Sequence, residues 1–203
     1  MKFFYASGSC SFASHVALEE AGAKYEAHKV SLANNEQRSD SYLRINPLGR
    51  VPALVVGDTA ISETIAILTY ISTRFPEAKL LPDNTEKLGK AYQLMSWFAS
   101  SVHVSFAQIF RSERFADDSE VRIGLKASGK DRFGASLDRI EQLLAGKEWI
   151  LPHYSVLDPY VSVFYRWAPR LEFDMTAYPA WTEHFNRVVR RPAVQRVLEV
   201  EAR

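Results

Sequence analysis

The sequence predicts a small α/β domain followed by an all-α domain. In the first 76 residues, short apolar and β-prone runs alternate with helical stretches, and this order is typical of α/β folds. After residue 76, apolar residues recur at spacings of three and four, which is the periodicity of amphipathic helices. We therefore expect a first domain over residues 1–76, a linker over residues 77–85 and a helical bundle over residues 86–203.

A strand, a helix and a second strand are predicted at the start of the chain. Lys2–Tyr5 is apolar and aromatic, as a buried strand would be. The helix is expected to begin at Ser11 and to end before Gly22, because glycine commonly follows the C-terminus of a helix. Tyr25–Val30 is predicted to be the second strand. Since a crossover helix connects parallel strands, these two strands are expected to be parallel.

A hairpin and a second helix are predicted to complete the first domain. Val51–Val56 and Thr59–Ser62 are β-prone runs separated by Gly57-Asp58, which favours a two-residue turn. A helix is then expected from Glu63 to Phe75, because the residue before a proline resists the helical conformation. The inward-facing residues expected for this helix are Ile65, Leu68 and Ile71. The predicted order is therefore βαβ-ββα.

Four helical patterns are predicted in the second domain. The first runs through Ala91, Leu94, Met95, Phe98, Val102, Phe106 and Ile109. The others run through Phe133–Leu144, Val161–Ala168 and Trp181–Val188. Ser155–Asp158 precedes the third pattern and resembles a helix capping box, in which a serine and an acidic residue satisfy each other's backbone N–H groups.

Composition and charge exclude several classes of protein. The 25 Lys and Arg residues nearly balance the 24 Asp and Glu residues, which argues against nucleic-acid binding as the main function. The single cysteine cannot form an intramolecular disulfide, which suits a reducing compartment. The N-terminal apolar run is too short for a secretory signal, and no stretch is long enough to span a membrane. A cytoplasmic protein is expected, and the five histidines have no spacing typical of a metal site.

Cys10 is the candidate for thiol chemistry. It lies between the first predicted strand and the helix that begins at Ser11. The N-terminus of a helix carries partial positive charge, so it can stabilise a thiolate and lower its pKa. Ala13 stands where a second cysteine of a redox pair would be, which excludes a dithiol cycle. The alternatives are a buried structural cysteine at position 10 and a simple helix-capping role for Ser11.

Two further turns and one histidine are candidates for ligand binding. Val51-Pro52 precedes a strand, and a cis bond there would expose the backbone of Val51 to an extended peptide. Glu63 and Thr64 lie between a strand and a helix, where they are suited to an ammonium and a carboxylate group. His103 lies apart from the apolar stripe of its helix and is expected to face the first domain. The alternatives are an ordinary strand-entry proline, routine helix capping and a surface histidine with no role.

Taken in order, these motifs resemble those of the cytosolic glutathione transferases. The segments that carry the resemblance are Ala6–Ser11, Asn46–Leu54, Ser62–Ile67 and the capping box at Ser155–Asp158. The Cys10-Ser11 pair is similar to that of the bacterial beta class. The resemblance extends over essentially the whole chain.

The resemblance implies a thioredoxin-like first domain, a helical second domain and a homodimer. It also implies glutathione as co-substrate. The residues implied to bind glutathione are Arg50, Val51, Pro52, Glu63 and Thr64. The residues implied to act at its sulfur are Cys10, Ser11 and His103. Val104 departs from the class, in which a lysine commonly follows this histidine, and this removes one cation from the glutathione site.

The function implied is transfer of the glutathione thiolate to a small hydrophobic electrophile, a detoxification reaction. Two alternatives stay open on sequence alone. One is a glutathione-dependent thiol, disulfide or peroxide reductase that acts through Cys10. The other is a non-enzymatic glutathione-binding or regulatory protein of the same fold.

Overall fold

In the computed structural model, which describes residues 1–203, four short strands form one mixed sheet. The strands are β1 (Lys2–Tyr5), β2 (Glu26–Lys29), β3 (Ala53–Val56) and β4 (Thr59–Ser62). Their order in the sheet is β2-β1-β3-β4. β1 is parallel to β2 and antiparallel to β3, and β3 is antiparallel to β4. The predicted parallel pair and the predicted hairpin are therefore both confirmed.

The crossover helix α1 (Ser11–Glu20) ends as its sequence predicts. Gly22 has a φ of +60°, a conformation that glycine adopts without a steric penalty. The N–H of Gly22 donates to the carbonyl of Glu19, and the N–H of Ala23 donates to the carbonyl of Leu18. This pair of hydrogen bonds satisfies carbonyl groups that the end of a helix leaves free.

A short helix lies in the polar stretch between β2 and β3, where no helix is predicted. This is α2 (Asp40–Leu43), which follows a 3-10 turn at Glu36–Arg38. The Ser39 hydroxyl caps it by accepting a hydrogen bond from the N–H of Tyr42. Apolar periodicity cannot reveal this helix, because its four residues are barely more than one turn.

Helix α3 (Thr64–Arg74) completes the first half of the chain and ends before Pro76, as expected. Its buried apolar residues are Ile67, Leu68 and Ile71. Ile65 was expected to point inward with them, but it is only partly buried and lines a cavity. The inward apolar stripe therefore begins at Ile67, two residues later than predicted.

The rest of the chain is helical, as expected. Its helices are α4 (Thr85–Trp97), α5 (His103–Phe110), α6 (Ser119–Leu144), α7 (Leu157–Trp167), α8 (Pro179–Val189) and α9 (Pro192–Ala202). The first apolar pattern predicts one continuous helix, but a π-helical turn at Phe98–Val102 separates α4 from α5. Single π-helical turns are common beside functional sites. Helix α9 was not predicted.

The predicted capping box forms at the start of α7. The N–H of Ser155 donates to Asp158 Oδ2 at 2.7 Å, and the Ser155 hydroxyl accepts from the N–H of Leu157. Asp158 is fully buried, and its other oxygen lies 2.8 Å from Nε2 of His184. This contact explains why α8 buries His184 and leaves Phe185, which was expected to be inward, partly exposed.

A single apolar core joins the sheet to the helices. Helix α1 packs against α3 of the first half of the chain and against α7 and α9 of the second. The Arg191 guanidinium pairs with the Glu20 carboxylate across this junction at 2.6 Å. None of the helices is both long and apolar enough to cross a bilayer. The fold class predicted from the sequence, a thioredoxin-like α/β unit with a helical second part, is confirmed.

Candidate active site

A cavity of about 740 Å³ lies between the turns of the sheet and helix α5. Seven of the eight site residues predicted from the sequence line it, namely Cys10, Arg50, Val51, Pro52, Glu63, Thr64 and His103. The structure does not bring Ser11 to this cavity. Three separate turns of the chain therefore meet with one helix around a single space.

Ser11 holds the thiol turn together from inside. Its side chain is fully buried, and its hydroxyl donates to the carbonyl of Ala6 at 3.1 Å. The same oxygen accepts from the N–H of Ala6 and lies 2.7 Å from the hydroxyl of Ser9. Because its one proton is already donated to Ala6, Ser11 has none left for a ligand.

Cys10 lies at the cavity wall, immediately before the first residue of α1. It is 8% exposed, and its Sγ donates to the carbonyl of Val51 at 3.6 Å. Burial raises the pKa of the Cys10 thiol to about 11, and this outweighs the opposing effects of the Thr64 side chain and the backbone N–H of Cys10. The sequence predicted a lowered pKa from the helix dipole. That expectation is wrong in direction, because desolvation is the larger effect.

The loop that carries Val51 and Pro52 is fixed by hydrogen bonds to a single carbonyl group. The Tyr42 hydroxyl and the Asn46 side-chain amide both donate to the carbonyl of Arg50 at 2.7 Å. The bond between Val51 and Pro52 is cis, as the resemblance implies. α2, which carries Tyr42, thus supports the part of the loop that faces the cavity.

Gly49 is required at the corner of this loop. Its φ is +59°, and a Cβ atom there would lie 2.8 Å from the carbonyl oxygen of Gln37. Such a contact is too short for any other residue without a shift of the backbone. The Gly49 turn therefore allows the loop to pass close to the 3-10 turn that precedes α2.

Glu63 and Thr64 stand at the N-terminus of α3. Glu63 has a φ of +71° and a ψ of 127°, a conformation that non-glycine residues rarely adopt. The first N–H groups of α3 have no partner within the helix. The turn thus presents the Glu63 carboxylate, which can bind an ammonium group. The free backbone N–H groups and the Thr64 hydroxyl beside it can bind a carboxylate group.

His103 faces the cavity from the first turn of α5 and is neutral at physiological pH. Burial lowers the pKa of His103 to about 4, and the charges of Arg114 and Arg50 lower it further. The centroid of its ring lies 5.0 Å from the centroid of the Trp167 ring. A neutral imidazole can donate one N–H hydrogen bond, but it adds no positive charge.

The cavity is also lined by three arginines that the sequence did not single out. They are Arg111, Arg114 and Arg170, in addition to Arg50. Arg111 and Arg114 belong to the run Phe110-Arg111-Ser112-Glu113-Arg114-Phe115, which begins at the last residue of α5. The pairing of aromatic and cationic residues at the end of an amphipathic helix is the signal that could have revealed them.

The second part of the chain also holds the thiol turn in place. The indole N–H of Trp167 donates to the carbonyl of Gly8 at 2.9 Å. The N–H of Gly8 donates to Glu201 Oε2 at 3.2 Å, and the Ser7 hydroxyl donates to the carbonyl of Glu201 at 2.7 Å. Residues of α7 and α9 therefore position the turn that presents Cys10.

Comparison with known proteins gives one consistent answer. Residues 1–73 match the family described as glutathione S-transferase, N-terminal domain. The chain is 32% identical to a bacterial beta class glutathione S-transferase of Sphingomonas chungbukensis, with a TM-score of 0.87 over 99% of this chain and 98% of that one. It is 30% identical to a glutathione transferase homologue from Sulfitobacter, solved with bound glutathione, with a TM-score of 0.93 over 98% and 97% of the two chains.

A curated relative agrees with the solved structures. The chain is 28% identical to glutathione S-transferase GstA of Escherichia coli O157:H7 over 99% of this chain and 98% of that protein. Because the matches span nearly the whole length of both partners, they include the sheet, the thiol turn and the helices that close the cavity. The chain belongs to the glutathione S-transferase family, and it is similar to the bacterial members of that family.

Proposed function

We propose that this protein is a glutathione transferase, which joins the thiolate of glutathione to an electrophilic carbon of a small second substrate. Family membership supports this proposal, as do relatives solved with bound glutathione. The observation that carries it is the meeting of three turns at one cavity. The Cys10 turn, the Val51-Pro52 loop and the Glu63-Thr64 turn offer a thiol site, a peptide-backbone site and a site for a free amino acid end.

The charged groups of glutathione have matching partners in the cavity. Its ammonium group is assigned to the Glu63 carboxylate, and the neighbouring carboxylate to Thr64 and the N-terminus of α3. Its central backbone is assigned to Val51, in the manner of an extended peptide that pairs with a strand edge. Arg50, which precedes Val51 in the same loop, is assigned to the glycine carboxylate.

Cys10 acts in this proposal as a hydrogen-bond donor and not as the nucleophile. Its thiol keeps its proton at neutral pH because burial raises its pKa to about 11. It can therefore turn its S–H from the carbonyl of Val51 toward a glutathione thiolate. Together with the N-terminus of α1 and the neutral His103, it lowers the pKa of the bound thiol. A fall of about two units corresponds to about 2.7 kcal/mol.

The proposed conjugation needs no reagent other than glutathione and the electrophile. The glutathione thiol releases its proton to solvent, and the sulfur forms a bond to the electrophilic carbon. A leaving group departs from that carbon with its bonding electron pair. Where the substrate is an activated alkene, the neighbouring carbon takes up a proton in its place.

The reductase alternative needs Cys10 as a thiolate that attacks a disulfide or peroxide. The raised pKa and the burial of its sulfur disfavour that role, since the thiolate is the reactive form. The non-enzymatic alternative would use the same cavity to bind glutathione. Glutathione binding without any conjugation would support it.

Several finer features belong to the same proposal. Residues 1–76 are proposed to bind glutathione, and residues 86–203 to form the wall against which a small electrophile lies. The protein is proposed to act as a cytoplasmic homodimer in detoxification, in keeping with the family resemblance. Light scattering on the purified protein tests the dimer, with a mass of about twice the 23.0 kDa of one chain as the expected result.

Two variants of Cys10 separate transfer from reduction. Cys10→Ser keeps a hydrogen-bond donor, whereas Cys10→Ala removes it. We expect the serine variant to retain most of the conjugation rate and the alanine variant to lose about tenfold or more, because a hydrogen bond to a charged group contributes about 1.5–3 kcal/mol. Glutathione-dependent disulfide reduction by the wild type that is abolished in both variants would instead identify Cys10 as the nucleophile of a reductase. Failure of the wild-type protein to bind glutathione in a calorimetric titration would overturn the proposal as a whole.

A further inference from the structure

The wall of the cavity formed by α5 and the segment that follows it is aromatic. Phe106 lies between two neighbours, with ring centroids 4.1 Å from Trp167 and 5.4 Å from Phe110. Phe110 and Phe115 are large apolar side chains that remain about half exposed. Exposed aromatic rings around a concave site are typical of surfaces that bind a flat apolar group.

The same cavity carries a surplus of positive charge. Its charged lining residues are Arg50, Arg111, Arg114 and Arg170 against the single acid Glu63. The protein as a whole has a formal net charge of only +1. The excess of cations is therefore local to the cavity and does not reflect the average composition of the chain.

These arginines lack carboxylate partners. Arg50, Arg114 and Arg170 form no ion pair within 4.0 Å, and Arg111 has only the exposed Glu113 at 4.0 Å. The pKa of Arg114 is lowered, first by burial and then by the charges of Arg111 and Arg50. The guanidinium groups thus repel each other in the free protein, and a bound anion would relieve this repulsion.

Glutathione alone does not account for this surplus. On the proposed function, its two carboxylates are assigned to the Thr64 turn and to Arg50, and its ammonium to Glu63. Arg111 and Arg114 then remain on the aromatic wall, at the end of α5 and beyond it. Arg170 lies elsewhere, with its guanidinium over Gly8 of the thiol turn.

We propose that the second substrate is an aromatic electrophile that carries a carboxylate group, bound by Arg111 and Arg114 while its ring lies against Phe110 and Phe115. This inference rests on the proposed function, because it assigns a substrate class to the same site. Arginine is well suited to the role, since its planar guanidinium forms paired hydrogen bonds with a carboxylate and stacks on aromatic rings. The Cζ atom of Arg111 already lies 5.1 Å from the ring centroid of Phe110.

A matched pair of substrates tests the charge requirement. The probes are 4-chloro-3-nitrobenzoate and its methyl ester, which react at the same ring carbon. In each case the glutathione sulfur bonds to that carbon, and chloride departs with the C–Cl electron pair. Each kcat/KM is divided by the rate constant for the uncatalysed reaction with glutathione. We expect the acid to be favoured over the ester by about tenfold, and the preference to fall as salt is added.

Substitutions identify the residues that cause the preference for the acid over the ester. Arg111→Gln and Arg114→Gln are each expected to reduce it by about threefold or more, and Arg114→Lys to restore part of it. Arg132→Gln is the matched control, since Arg132 is an exposed arginine of α6 that bonds only to Ser128 and lies outside the cavity. The control should keep the full preference. A change that followed net charge alone would appear in Arg132→Gln as well and would contradict the proposal.

A binding measurement makes the outcome independent of turnover. The glutathione-loaded protein is titrated calorimetrically with 3-nitrobenzoate and with methyl 3-nitrobenzoate, which have no leaving group. Tighter binding of the acid, lost in Arg114→Gln, is the expected result. Equal binding of acid and ester overturns the proposal. So does a loss of glutathione affinity in Arg114→Gln that weakens both probes equally, since Arg114 would then bind glutathione. Absence of glutathione binding in the wild type would instead overturn the proposed function.

Discussion

Glu201 of α9 accepts a hydrogen bond from the N–H of Gly8, 193 positions earlier in the chain. Its side chain is 3% exposed, and its other oxygen lies 3.5 Å from Nδ1 of the fully buried His15. The carbonyl of the same residue accepts from the Ser7 hydroxyl. One residue of the helical part thus holds the turn that presents Cys10, without reaching the cavity itself.

Glu201→Ala should therefore loosen the thiol turn. We expect a loss of about 1–3 kcal/mol in the free energy of unfolding, because the partly buried N–H of Gly8 loses its partner. We also expect weaker glutathione binding, measured by calorimetry. Glu201→Gln keeps an acceptor oxygen and should recover glutathione affinity. Glu199→Ala removes an exposed carboxylate from the same helix and serves as control. Equal effects of the alanine variants at positions 199 and 201 would contradict a positioning role.

The raised pKa of Cys10 makes the stability of the fold depend on pH in the alkaline range. The folded protein binds the thiol proton more tightly than the unfolded chain, with a pKa of about 11 against an ordinary value of 9.0. The stabilisation this provides is complete below pH 9 and is lost as the pH rises through 11. Between pH 8 and pH 11, the free energy of unfolding should fall by about 2 kcal/mol more in the wild type than in Cys10→Ala.

Urea denaturation of both proteins at the two pH values measures this difference. The comparison with Cys10→Ala cancels the contributions of all other groups, because the two proteins share them. A second readout is the rate of alkylation by iodoacetamide, which should stay far below that of a free thiol until the pH approaches 11. Fast alkylation at pH 7 would show that Cys10 is a thiolate and would favour the reductase alternative.

Glu63 combines a strained backbone with a functional carboxylate. Its φ of +71° disfavours any residue with a Cβ atom, and such strain costs about 1–3 kcal/mol. Glu63→Gly should therefore raise the free energy of unfolding by about 1 kcal/mol while glutathione affinity falls. Glu63→Gln retains the strain and removes the charge, so it should lower affinity without raising stability. Thermal denaturation and calorimetry together check this. A glycine variant that was less stable than the glutamine variant would refute the argument.

Local features of the site could be predicted from the sequence because each has a local cause. Gly22 ends α1, Gly57-Asp58 turns the hairpin, and Pro76 limits α3. These signals place Cys10 and Glu63 at the starts of helices, and the strand order then brings both turns to one end of the sheet.

Contacts between distant segments could not be predicted in this way. The bonds from Trp167 to Gly8 and from Gly8 to Glu201 depend on how the helices fold back over α1. The pKa of Cys10 shifts upward because of burial, which is a property of the packed molecule and not of the turn. Ser11 looked like a second site hydroxyl, but the direction of its side chain is set by the backbone of Ala6.

His103 gives a prediction about the pH dependence of turnover. Burial and the nearby arginines Arg114 and Arg50 lower its pKa to about 4, so its imidazole is neutral throughout the range from pH 5.5 to 9. A neutral ring can donate a hydrogen bond to the glutathione thiolate but does not change its charge in this range. We expect His103→Ala to lower kcat/KM for conjugation by about tenfold, the value of one hydrogen bond to a charged group.

The shape of the pH profile should be the same in wild type and in His103→Ala, because the rise in rate follows ionisation of bound glutathione. His103→Gln, which keeps an N–H donor, should recover part of the rate. His153→Ala is a control, since His153 is exposed and lies outside the cavity. A limb near pH 6.5 that is present in wild type and absent from His103→Ala would show that the histidine titrates. His103 would then have to be assigned a role in proton transfer in place of that of a neutral hydrogen-bond donor.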